Sequence, residues 1–176
     1  MSAEPIGEVS DPALLRQVYG AFATGVTVVT VGGDTPHAMT ANSFSTVSLD
    51  PPLILVCVGR DALMHDVLAG SGRFAVSVLA AHQEPVARYY ADRSRPLGRQ
   101  QFDFTDWLPG RCTDAFLLAG ATAHFECELW RSYDGGDHTV FVGRLLATRR
   151  FSEDALLFLC GKFRRPALEP SAAVAS

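Results

Sequence analysis

Apolar runs of five to eight residues alternate with clusters of turn formers along this chain, and the first clear strand is Val26-Thr27-Val28-Val29-Thr30-Val31. Gly32-Gly33-Asp34 turns it, and His37-Ala38-Met39-Thr40-Ala41 brings the chain back. Residues 53–58, Leu-Ile-Leu-Val-Cys-Val, are apolar at every position, the pattern of a strand covered on both faces. Residues 73–79 form another strand, and two long ones follow over 119–133 and 138–149, joined by Asp134-Gly135-Gly136-Asp137. From Ala123 to Leu129 polar and apolar residues alternate strictly, which predicts a half-buried strand. Residues 155–163 read as the last strand.

Helical spacing is confined to three short segments. Leu14, Leu15, Val18 and Phe22 recur behind Asp11 as N-cap and Pro12 at the first helical position, and Thr24-Gly25 ends the run. Residues 61–72 form a helix with Gly70 and Gly72 near its end, and 84–91 one with Pro85 in its first turn. Residues 92–118 read as a long loop, basic through Arg93, Arg95 and Arg99 and pinned by Phe102, Phe104 and Trp107. Six or seven strands and three helices without regular βαβ alternation predict a mainly β fold, an antiparallel barrel with peripheral helices. One domain over 12–165 is expected, between a flexible N-terminus, 1–11, and a flexible tail, 166–176.

Composition narrows the function. A net charge of −4 opposes general affinity for a phosphate backbone, so nucleic acid is not an expected partner. No apolar run approaches a membrane span, and the acidic start MSAEPIGEVSDP lacks the pattern of an export signal, so a cytoplasmic protein is expected. Cys57, Cys112, Cys127 and Cys160 form no CxxC pair and read as free, mostly buried thiols in a reducing compartment.

Most familiar chemistries fail on spacing. GSGRFA, 70–75, fits a loose dinucleotide pattern but follows a helix and precedes a strand, the reverse of the required order. There is no phosphate loop and no GxSxG elbow, and Lys162 is the only lysine. His37, His65, His82, His124 and His138 show neither HxH nor HExxH spacing, so no metal site is expected; His65 and His124 read as solvated or internally satisfied. What remains is the run Thr40, Asn42, Ser43, Ser45, Thr46 and Ser48 between two apolar strands, closing on Asp50-Pro51-Pro52. Such residues serve equally as turn formers bonding their own backbone or as an uncharged cradle for a phosphate or polyol chain.

The order of motifs resembles the short-chain flavin reductase family, whose fold is a Greek-key, FMN-binding split β-barrel. The matching stretches are FATGVTVVT (22–30), MTANSFSTVSLDPPLILVCV (39–58), SGRFAVSVLA (71–80), GATAHFECEL (120–129), GGDHTVFVG (135–143) and LLFLCGKF (156–163). The resemblance implies a homodimeric reductase component of a two-component flavin-dependent monooxygenase. It would use NADH or NADPH to reduce FMN or FAD and release the reduced flavin to its partner. It implies that Thr40, Ala41, Asn42 and Ser43 line the ribityl and ring edge, and that Ser45, Thr46 and Ser48 lie near the phosphate. Cys57, Val58, Gly59 and Arg60 would close over the same cofactor. His138 would meet the nicotinamide, positioning its carboxamide or shielding the hydride path; on spacing alone it reads as a histidine capping a turn. Lys162 falls in the family's basic ending, although Cys160 stands where a basic residue is frequent. Arg88, Arg93, Arg95 and Arg99 read as a solvated loop within reach of a phosphate. A flavin-binding electron carrier and an amine oxidase on the same barrel are the competing functions.

Overall fold

The structure is a computed structural model describing residues 10–166; most of both expected flexible ends lies outside these residues. Helix α1, Pro12–Gly20, leads to strands β1, Thr24–Gly25, β2, Thr27–Val31, β3, His37–Ala41, β4, Ser45–Leu49, and β5, Pro52–Gly59. Helix α2, Leu63–Ser71, β6, Arg73–Val78, and helix α3, Glu84–Ala91, come next. A 3-10 turn, Gly98–Phe102, precedes β7, Trp107–Pro109, and β8, Phe116–Leu118. The chain closes with β9, Ala123–Gly135, β10, His138–Arg150, β11, Leu157–Leu159, and β12, Lys162–Arg164.

Seven strands form one antiparallel sheet in the order β3-β2-β6-β9-β10-β5-β4. Its two edges, β3 and β4, are neighbours in sequence yet are not paired with each other. The curled sheet therefore stays open along one line, as in a split barrel. Alternate residues of β2 feed two cores, as a period of two requires. Val29 and Val31 join Ile54, Val56, Met64, Leu68, Phe74 and Phe141 on the side of α2. Val28 joins Leu79, Tyr90, Phe102 and Leu118 beneath α3. No helix among the described residues is long and apolar enough to cross a membrane.

Several expectations are corrected by tertiary partners. The hydroxyl-rich run contains β4, an edge strand whose side chains are mostly exposed and so show no apolar alternation. The polar side of β9 is buried as well. His124 bonds the carbonyl of Leu118, and the Glu126 carboxylate accepts from the N–H groups of Arg111, Cys112 and Thr113 and from the Thr113 hydroxyl. Burial alone would raise the Glu126 pKa, but those donors hold it below its ordinary value. Residues 155–163 are not one strand. Cys160 at φ 49° and Gly161 at φ 72° make a two-residue turn between β11 and β12, the positive pair that a type I′ hairpin needs. Asp11 caps α1 as expected, with its carboxylate accepting from the Ala13 N–H, but no residue of α1 is buried and Val18, Tyr19 and Phe22 are exposed. The four cysteines are free thiols, of which only Cys127 is buried.

The expected loop 92–118 is partly ordered by Gln101, which is fully buried. Its amide accepts from the Ala38 N–H and donates to the carbonyls of Pro36 and Gly98. Arg95 lies over the Tyr90 ring and donates to the Ala38 carbonyl. His37 is buried beside it, and desolvation, followed by the Arg95 charge, lowers its pKa to about 4. The unfolded chain therefore binds more protons than the folded one between pH 6.5 and about 4, and stability falls as the pH drops through that window. Denaturant titrations across it are expected to lose roughly 2–3 kcal/mol through this group, and His37→Gln to flatten the slope. An unchanged slope in the variant would remove His37 from the acid response.

Candidate active site

The open line of the barrel is crossed by Asn42, Ser43 and Phe44, which carry the chain from edge strand β3 to edge strand β4 and take no part in the sheet's strand pairing. The crossing is fastened by one side chain. The Ser43 hydroxyl donates to the Cys57 carbonyl at 2.8 Å and accepts from the Cys57 N–H at 3.1 Å, substituting for a missing strand partner. On the other side the Thr40 hydroxyl donates to the Ala87 carbonyl of α3 at 2.7 Å. The run thus spends one hydroxyl on fastening the crossing to β5 and another on tying β3 to α3, so short polar residues beside a core strand have structural work there.

A cavity of about 570 Å³ opens over this crossing. Residues 39–43 form one wall, and Cys57 with Gly59 to Ala62 forms another. The tip of the β9–β10 hairpin supplies Asp137 and His138. The hairpin's two-residue loop has Gly136 at φ 77° in its first central position, the arrangement of a type II′ turn, and β10 then pairs with β5 so that His138 stands opposite Gly59. A Cβ on Gly59 would press on Asp61 Oδ1 at 3.0 Å and meet His138 Nε2 at an ordinary contact distance of 3.7 Å, so glycine here leaves room for the Asp61 carboxylate.

The charges around the cavity are ordered. His138 Nδ1 lies 2.7 Å from Asp137 Oδ1, and that hydrogen bond, followed by the charge of His138, holds the Asp137 carboxyl below its ordinary range. An ionised carboxylate accepts only, so Nδ1 carries the proton and a neutral ring presents Nε2 as an acceptor. Arg93 Nη1 donates to Asp61 Oδ2 at 3.0 Å, and this bond lowers the Asp61 pKa. Burial raises the Cys57 thiol, which stays protonated at neutral pH. Asn42 is exposed, and its amide has no hydrogen-bond partner among the described residues.

Of the residues expected from sequence, Thr40, Ala41, Asn42, Ser43, Cys57, Gly59, Arg60 and His138 meet around this one cavity. Ser45, Thr46 and Ser48 continue along β4 beyond it, opposite Leu55, Ile54 and Leu53. The Val58 side chain is wholly buried, and Lys162 lies on the small β1-β11-β12 sheet outside the lining. Arg60 is at the rim, but its Nε already donates to the Gly136 carbonyl and its Nη2 pairs with Asp134. Met39, Asp61, Ala62, Arg93 and Asp137 line the cavity without having been singled out as ligands. Asp137 was open to detection as the sequence neighbour of His138, and Arg93 as a member of the basic segment.

A model of the flavin reductase like domain matches residues 19–167. An NADH-dependent FAD reductase of Streptomyces globisporus is 55% identical over 165 residues, 92% of this chain and 91% of that protein. BorF, the flavin reductase component of a bacterial two-component tryptophan halogenase, superposes with a TM-score of 0.85 at 60% identity, over 88% of this chain and 98% of that one. The Streptomyces globisporus C-1027 NADH:FAD oxidoreductase SgcE6, in complex with NAD and FAD fragments, gives 0.89 at 50% identity, over 96% and 99% of the two chains. With the family model spanning nearly all the described residues and the same open barrel beneath it, this chain belongs to the flavin reductase like domain family.

Proposed function

We propose that the chain is an NADH-dependent flavin reductase that binds FAD or FMN in the cavity of the split and supplies reduced flavin to a partner oxygenase. The observation that carries this is geometric. The imidazole of His138 and residues 40–43, the end of β3 and the start of the crossing, face one cavity, and nothing among the cavity's residues is arranged as a nucleophile with its base. Hydride transfer between two stacked rings needs neither, because the protein's contribution is to hold the rings in contact and keep water out. The cavity's volume lies within the roughly 300–1,000 Å³ usual for small-ligand sites, and the unspent Asn42 amide offers both a donor and an acceptor.

Bound flavin supplies the hydride acceptor, and reduced pyridine nucleotide is the donor. Residues 40–43 hold the ring edge and the ribityl chain. Main-chain N–H groups of the crossing, free of sheet pairing, favour the negative charge that reduction brings to the flavin. His138 presents Nε2 to a carboxamide N–H of the nicotinamide and thereby fixes the ring's orientation. Ser45 and Thr46 continue from Ser43 along an exposed strand and suit a ribityl phosphate leaving the cavity. NADH and FAD are the preferred pair, as in the Streptomyces relative's name. The partner is a flavin-dependent monooxygenase or a related halogenase, reached through diffusible flavin in the cytoplasm. A homodimer fits the apolar side chains that one chain leaves uncovered, with Tyr19 and Phe22 on and after α1 and Leu49, 95% exposed, on edge strand β4.

Anaerobic mixing of the protein with NADH or NADPH and with FAD, FMN or riboflavin tests the activity directly. Enzyme-dependent bleaching of the visible flavin band is expected, fastest with NADH and FAD. Bound flavin that stays oxidised with both nucleotides would identify an electron carrier instead. His138→Ala is expected to raise KM for NADH about tenfold while flavin affinity, read by fluorescence quenching, moves less than about twofold. A parallel loss of flavin affinity would contradict the nicotinamide role. Replacing Ser45 and Thr46 together by Ala is expected to weaken FMN about tenfold and riboflavin hardly at all. Equal losses would remove the phosphate from β4.

A further inference from the structure

The hairpin tip that carries His138 has little apolar anchorage. From Arg131 to Gly135 strand β9 is exposed, and on β10 burial begins only at Thr139. Strand pairing sets His138 opposite Gly59, and the side-chain contacts that tie the turn itself to β5 come from one residue. Arg60 leaves the end of β5, opposite the hairpin. Its main-chain N–H donates to the Asp137 carbonyl at 3.0 Å, and its Nε donates to the Gly136 carbonyl at 2.9 Å. Its Nη2 lies 3.1 Å from Asp134 Oδ2, while the other oxygen of that carboxylate accepts from the Gly136 N–H at 2.8 Å. One planar guanidinium thus spans the turn from Asp134 to Gly136, and the loop residue it grips immediately precedes the Asp137–His138 pair.

We propose that Arg60 is a positioning residue for His138: it clamps the hairpin turn to the end of β5 and so fixes the imidazole against the nicotinamide, instead of binding the flavin itself. This rests on the reading of His138 given above. The planar fork explains why arginine stands here, since the Gly136 carbonyl and the Asp134 carboxylate are engaged by different nitrogens of one rigid group and a lysine has a single nitrogen to offer. Asp134 does not line the cavity, so its substitution reaches the site only through the turn, by way of Arg60 or of its own bond from the Gly136 N–H. The ion pair is exposed and contributes little by itself, which leaves the carbonyl bond as the stronger element.

The test is a double-mutant cycle read by steady-state kinetics and flavin-binding titration on the full chain. Arg60→Ala is expected to raise KM for NADH about tenfold with a smaller change in kcat, leaving flavin affinity within about twofold. In the His138→Ala background the same change is expected to add less than about twofold, because the residue it positions is gone. Arg60→Lys should recover part of the loss, and Asp134→Asn should raise KM for NADH about two- to threefold. A full effect of Arg60→Ala in the His138→Ala background, or a matching loss of flavin affinity, would show direct ligand contact and overturn the proposal. If His138→Ala alone leaves NADH use unchanged, the reading of His138 fails first and the clamp loses its object, an outcome visible in that single variant.

Discussion

The two-way bond between the Ser43 hydroxyl and the main chain of Cys57 is the contact on which the site depends. The cavity lies along the line where the sheet stays open, and an opening left unfastened would expose two edges to other chains. Here consecutive strands lie at opposite edges of the same sheet, and three residues cross between them. A side-chain oxygen that donates and accepts at once replaces the ladder over the crossing. It ties the crossing to β5 beside the cavity that both line.

That arrangement also explains what the sequence disclosed and what it withheld. The apolar runs of β2 and β5 and the spacing of α2 and α3 were legible because burial imposes its own period on each element, whatever its partner. Strand β4 was not, since an exposed edge of Ser and Thr has no buried face to impose alternation. The half-buried reading of β9 fell short for a different reason. His124 is satisfied internally, as one of its two readings had it, but the burial of Glu126 shows only once the 110–118 segment, a separate piece of chain, folds over both with its carbonyl and N–H groups. The β11–β12 hairpin escaped notice because its turn places a cysteine, not glycine or asparagine, at positive φ.

The site divides along the same line. Residues 40–43 stood out as a dense run of hydroxyl and amide groups, and His138 stood out through its motif, with Asp137 beside it. The other electrostatic partners did not, because each depends on segments meeting in space. Asp61 meets Arg93 across 32 positions, and Arg60 meets Gly136 across 76. Resemblance of motifs brought Arg60 forward as a cofactor ligand. Its bonding shows a guanidinium already committed to the hairpin.

The register that sets His138 opposite Gly59 joins an early strand to a late one. During synthesis the crossing and β5 emerge well before β9 and β10, so for much of that time the nascent chain carries one wall of the cavity without the other. On the role proposed for His138, the site is complete only once the long hairpin has emerged and docked, and its completion reports that the central pairing of the sheet has formed.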